Sequence, residues 1–207
     1  AQVSNQGAFG SLGLGASTVD AARKQILHTQ ELTDKPFQVN FFCHESRDLN
    51  SEVSQNWIAL FADKFKELDA EVPTSLNCIY PSFKDNDDFL NLVLETKPKA
   101  VSFHFGIPHV HQIKALKNAG IITLVSATNL AEAKAIEAAG IDIIIAQGIE
   151  AGGHRGIFNE SFDAAIRTED LVQLLKQNCT LPVISAGGIM NGHQAKQFLD
   201  LGAHAVQ

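Results

Sequence analysis

The chain has 207 residues, a formal net charge of −7 at pH 7 and no long basic run, which argues against nucleic acid as a partner. Hydrophobic residues make up 45%, enough for a sizeable core, yet no apolar run approaches the ~20 residues of a membrane span. Cys43, Cys78 and Cys179 are odd in number and lack CxxC spacing. That pattern argues against a disulfide framework and a zinc site, and points to a reducing, cytoplasmic compartment.

One pattern recurs along the chain. A helix-like segment ends in glycine and a β-rich run follows at once, as at Gly7, Gly120, Gly140 and Gly202. Glycine there supplies the positive φ of a helix C-cap. Helix starts are marked by Ser17 three before Asp20, Asn129 three before Glu132 and Asn191 three before Gln194, each close to a capping box. The pattern predicts strands near 8–13, 37–43, 100–105, 121–126, 141–147, 182–186 and 203–207, with helices in most intervals. Strands that alternate with helices imply parallel βαβ units, and their nearly continuous apolar runs imply a sheet covered on both faces.

Residues 1–5 read as the tail of a helix. One strand before it makes eight, so the expected fold is an α/β, (β/α)8 TIM barrel, here lacking its first strand and closing C-terminal segment. A doubly wound open sheet is the competing arrangement. Residues 1–207 read as one domain of a longer protein, elaborated by helices at about 44–99. Within that elaboration the apolar spacing predicts helices over 57–68 and 89–94, with loop and one short strand between them around Pro73 and Pro81.

Three stretches carry candidate chemistry. Asn40 is a polar residue near the carboxyl end of a strand, placed for a ligand's polar edge or for a strand-internal network. Gln147 opens a loop with glycines at 148, 152, 153 and 156 that also carries His154 and Arg155. Such loops at the carboxyl ends of parallel strands bind ligands, and glycine lets backbone approach a flat or anionic group. His154 is the loop's only group suited to proton transfer near neutral pH. Arg155 would support an anionic substrate or, on balance, be solvated. Gly187 and Gly188 close a strand just before a helix starts near Asn191, an arrangement suited to a phosphate. His104, His109 and His111 lie close in sequence, but Gly106 and Pro108 break the segment, and a pocket-lining loop is favoured over a metal. No GxGxxG, Walker or GxSxG pattern is present.

The stretch from Gln147 to Gly156, with Val39-Asn40, Ser185 to Gly188 and Gly202 to Gln207, resembles the nitronate monooxygenase family, formerly called 2-nitropropane dioxygenases. The resemblance implies an FMN-dependent barrel that oxidises alkyl nitronates with molecular oxygen. By motif, His154 would be the base that removes the proton α to nitrogen. Asn40, Gln147, Gly152 and Gly153 would meet the flavin. Gly187 and Gly188 would hold its phosphate, and Gln207 would open a second phosphate segment. Flavin-dependent enoyl-acyl-carrier-protein reductases, which use NAD(P)H, share a similar loop and are the nearest rival. A non-catalytic flavin-binding protein is the other.

Overall fold

The computed structural model describes residues 1–85 and 87–207. The elements run α1 (Gln2–Asn5), β1 (Gly10–Gly13), α2 (Val19–Leu32), β2 (Phe37–Phe42), α3 (Ser51–Glu67), α4 (Asp88–Thr96), β3 (Ala100–His104) and α5 (Val110–Asn118). They continue through β4 (Ile122–Ala127), α6 (Leu130–Ala138), β5 (Ile143–Gln147), α7 (Thr168–Asn178), β6 (Val183–Ala186), α8 (Gly192–Asp200) and β7 (Ala205–Val206). All seven expected strands are present. They form one curled parallel sheet in sequence order, with β1 and β7 at its edges. Parallel pairing puts every strand's carboxyl end on one rim.

The expected glycine C-caps hold, since Gly7, Gly120, Gly140 and Gly202 all have positive φ. The N-caps differ in detail. Thr18, not Ser17, caps α2, its hydroxyl accepting from the Ala21 N–H at 3.2 Å. Asn129 and Asn191 cap α6 and α8 as expected. Their reciprocal partners reach further back, though. The Glu132 carboxylate accepts from the Thr128 N–H and hydroxyl, and Gln194 accepts from the Met190 N–H. Between α3 and α4 no strand forms among the described residues, so the short strand expected near Pro73 and Pro81 is corrected to loop.

Alternation along the strands sorts two faces. Val39, Phe41, Val101, Phe103, Val125 and Ile144 pack outward with helix residues such as Ile26, Leu116, Ile136 and Leu171. Ala100, Leu124, Ile145 and Ala186 form a second cluster with Ile122, Ile143 and Ile184 on the concave face. At ~25 cal/mol per Å² of apolar surface, the outer cluster dominates the core. The concave face turns polar toward the rim, where Asn40, Ser102, His104, Ser126 and Gln147 continue the same inward parity. That polarity is what positions the site.

Candidate active site

Gln147, the last residue of β5, anchors the glycine loop. Its Nε2 donates to the His154 carbonyl at 3.0 Å, and its Oε1 accepts from the Gly156 N–H at 2.6 Å. One buried side-chain amide thus folds the loop back across the end of the sheet. Gly156 passes so close to the strands that a Cβ there would sit 3.0 Å from the Ser126 Cβ and 3.4 Å from the Gln147 Oε1.

Arg155 lies beneath this loop rather than in solvent, which corrects the expectation. Its guanidinium donates to the carbonyls of Gln147 and Gly148 at 2.8 and 2.5 Å, and to both oxygens of Asp163 at 3.0 and 2.9 Å. The side chain is 15% exposed. With five donors in a planar fork, arginine can hold two carbonyls and a carboxylate together. The same contact holds the Asp163 carboxyl below the usual carboxylate range.

With Arg155 turned inward, His154 is left exposed at the surface of the loop. Its ring lies 5.2 Å from Phe42, 5.6 Å from Tyr80 and 5.8 Å from Phe105, centroid to centroid. These rings wall a cavity of about 540 Å³ that Cys78, Ile157 and Phe158 extend, with His44, Glu45, Arg47 and Glu160 at its margin. Arg47 and Glu160 are joined by an ion pair at 2.5 Å. A cavity of this size suits a small organic ligand. Phe105 holds φ +71, a left-handed conformation that a bulky side chain adopts only where surrounding contacts impose it.

His104, at the end of β3, sits deeper. Its Nδ1 is 2.8 Å from the Ser126 Oγ, and its ring stacks on Phe42. Burial pushes it below the ordinary histidine range, and the neighbouring His154 adds to that. It reaches the site through Phe42 and Phe105 and does not line the cavity. His109 and His111 are used elsewhere. The His109 N–H donates to the Gln112 Oε1 at the start of α5, and the His111 Nε2 pairs with Asp87 at 3.0 Å. Among the described residues no group of three metal-ligating side chains converges.

Asn40 makes the strand-internal contact. Its Nδ2 donates to the Ser102 hydroxyl at 2.9 Å and to the Ser102 carbonyl at 3.2 Å, so the amide oxygen is the end that points to further chemistry. Gly187 and Gly188 hold φ +113 and +72 at the end of β6. A Cβ on them would lie 2.9 Å from the Ala151 N and 2.8 Å from the Glu150 Cβ respectively, so neither position tolerates a side chain. Gln207 is brought alongside, its N–H donating to the Ser185 carbonyl at 2.9 Å. Gly152 and Gly153 stand over open space, with Gly153 at φ +81.

The rim therefore gathers Gln147, His154 and Gly156 by direct bonds, and sets Gly187 and Gly188 against the same loop. Sequence reasoning missed the aromatic wall. Phe42 was legible as the next inward position after Asn40, and Tyr80 is the only tyrosine in the chain. Nothing local marked Tyr80 as facing His154, because 74 residues separate them and only the tertiary fold closes that gap (154 less 80 in the numbering).

A curled parallel sheet with a glycine-rich, histidine-bearing loop and an apolar cavity on its carboxyl rim defines an α/β protein with the site architecture of a small-molecule enzyme. The family model described as "Nitronate monooxygenase" matches residues 1–207, and the chain belongs to that family. A nitronate monooxygenase of Paraburkholderia phytofirmans is 50% identical over 208 residues, which cover 100% of this chain and 57% of the relative. The solved nitroalkane oxidase of Streptomyces ansochromogenes is 34% identical at TM-score 0.88, covering 99% of this chain and 58% of that one. The structure of FabK from Thermotoga maritima is 30% identical at TM-score 0.71, covering 99% and 51%. The chain thus spans less than two thirds of the length of the relatives it matches.

Proposed function

We propose that the protein is an FMN-dependent enzyme that oxidises alkyl nitronates and nitroalkanes with molecular oxygen, that His154 is its general base, and that it works in the reducing cytoplasm, where three free thiols persist. The observation that carries the reading is the position of His154: on an aromatic cavity, one loop away from the Gly187-Gly188 turn. The residues present fit FMN on two counts. At Gly187 and Gly188 the backbone, at positive φ, runs bare of side chains just before the N-terminus of α8, as close approach of a phosphate requires. The Asn40 amide oxygen, left over once both its N–H groups are held by Ser102, offers an acceptor to the polar edge of a planar ring, and Gln147 keeps one N–H and one lone pair beyond its two loop bonds.

Asn40 and Gln147 would orient the ring system, Gly152 and Gly153 would let it lie against backbone, and Gly187, Gly188 and Gln207 would hold the phosphate. Bound flavin supplies the electron acceptor that returns electrons to oxygen. The chain supplies position and proton transfer. His154 takes the proton from the carbon α to nitrogen, leaving a nitronate, and Phe42, Tyr80 and Phe105 flank the imidazole and hold its orientation. The full (β/α)8 barrel is the closed form of the seven-stranded sheet under the same reading. The relatives' names favour this reaction over reduction of an enoyl thioester.

The test is a substrate comparison in the full-length protein at equal flavin content. His154→Ala should slow a neutral nitroalkane about 10²–10⁴-fold while largely sparing a preformed nitronate, which already lacks the α-proton. Equal losses on both substrates would remove His154 as the base. Turnover of NADH with an enoyl thioester in place of nitronate would establish the rival reductase.

A further inference from the structure

Three loops meet behind the Gly187-Gly188 turn, and one hydroxyl joins them. Thr168 opens α7 and is 1% exposed. Its Oγ1 has one proton to donate and lies within reach of two acceptors, the Glu150 Oε2 at 2.8 Å, in the His154 loop, and the Gly187 carbonyl at 3.1 Å, in the turn after β6, so that proton is shared between the two loops. The same Glu150 oxygen accepts from the Thr168 N–H at 2.8 Å. Arg167, at the N-cap position of α7, offers no capping side chain, so Glu150 caps the helix from 17 residues away (167 less 150). A carboxylate there also faces the positive end of the helix dipole.

The packing is equally tight. A Cβ on Gly148 would fall 2.0 Å from the Thr168 Oγ1, and the Gly187 and Gly188 positions abut Ala151 and Glu150. Burial pushes the Glu150 carboxyl up, but the Thr168 N–H and hydroxyl and Arg167 outweigh it and hold the group below the usual carboxylate range. Glu150 therefore stays ionised, and its charge is spent on Thr168 and Arg167 rather than aimed at an anion in the turn.

We propose that Thr168 and Glu150 are positioning residues that lock the Gly187-Gly188 turn in its phosphate-accepting shape and couple it to the loop bearing His154. The proposal rests on the FMN reading for its ligand and on the hydrogen bonds alone for its mechanics. A phosphate bound at the turn would then favour the ordered His154 loop, and the reverse, because linkage is reciprocal.

The experiment compares FMN with riboflavin, which lacks the phosphate, in binding titrations of the full-length flavin-free protein. Thr168→Val keeps the shape but removes the hydroxyl, and should weaken FMN about tenfold or more while leaving riboflavin unchanged. Thr168→Ser, which restores the hydroxyl, should recover FMN binding. Amide hydrogen exchange provides a reading that needs no cofactor: exchange at Gly148, whose N–H donates to the Ala186 carbonyl at the base of the turn, should rise in Thr168→Val and not in Thr168→Ser. Equal weakening of both flavins, or unchanged exchange at Gly148, overturns the proposal. A wild-type protein that binds riboflavin as tightly as FMN sinks the phosphate assignment instead, and the exchange comparison then decides the coupling alone. If Thr168→Val does not fold, Glu150→Gln is read by the same titration and exchange, with the same outcomes expected.

Discussion

Arg155→Ala is the most informative stability perturbation. The wild-type guanidinium satisfies the Gln147 and Gly148 carbonyls and both oxygens of Asp163, from a position 15% exposed. Hydrogen bonds made by a charged group contribute about 1.5–3 kcal/mol each, which puts the two carbonyl contacts near 3–6 kcal/mol before relaxation. The Asp163 pair adds little, because that carboxylate keeps access to water and exposed pairs contribute ~0–1 kcal/mol. Water can reach the vacated carbonyls from the loop side, so about 3 kcal/mol is the expected net loss, a fall in Tm of roughly 6–12 °C for a chain of this size. Lysine cannot reproduce the fork, so Arg155→Lys should recover less than half of the loss. Thermal and urea unfolding followed by circular dichroism would measure both. A change below about 0.5 kcal/mol in Arg155→Ala would mean that the guanidinium is solvated after all and that Gln147 alone holds the loop.

Gly188→Asp should abolish measurable FMN retention, because it adds a Cβ 2.8 Å from the Glu150 Cβ and a second negative charge where a phosphate is proposed. Absorbance of the purified protein near the flavin band checks this, and unchanged occupancy would move the phosphate elsewhere. Acid stability should depend on Glu137, whose carboxyl is held down to about 2 by the Thr180 hydroxyl and N–H and by Lys134. Its folded value lies below the ordinary 4.5, so its contribution is fully present above that pH and is lost as the pH falls from 4.5 toward about 2. Glu137→Gln should flatten the fall in Tm across that window, and an unaltered profile would show that the carboxylate contributes nothing there.

Much of this protein was legible one residue at a time. Gly120, Gly140 and Gly202 end helices because only glycine enters the left-handed region without a steric cost, and that signal is local. The apolar runs at 141–147 and 182–186 announced buried parallel strands for the same reason, and β5 and β6 form inside them. The loop from Gln147 to Gly156 stood out by composition. Its Gly187-Gly188 neighbour stood out by spacing from the next helix cap.

The contacts that build the site were not legible, because they join residues that only folding brings together. Arg155 reads as a solvated cation until Asp163 and two strand-end carbonyls surround it. Asn40 reads as ligand-binding or structural until Ser102 on the next strand takes its amide N–H groups. Thr168 carries no motif, and its position behind the turn follows from how α7 packs between β5 and β6. Local conformational preference is set by neighbours in the chain, so the sequence by itself determined the seven strands of the sheet, their order and the family, but not the start of α3 or the loop around Pro73 and Pro81. Hydrogen-bond satisfaction inside the rim is set by neighbours in space, so tertiary structure alone decided which polar groups were consumed by the scaffold and which, like His154, were left facing the cavity.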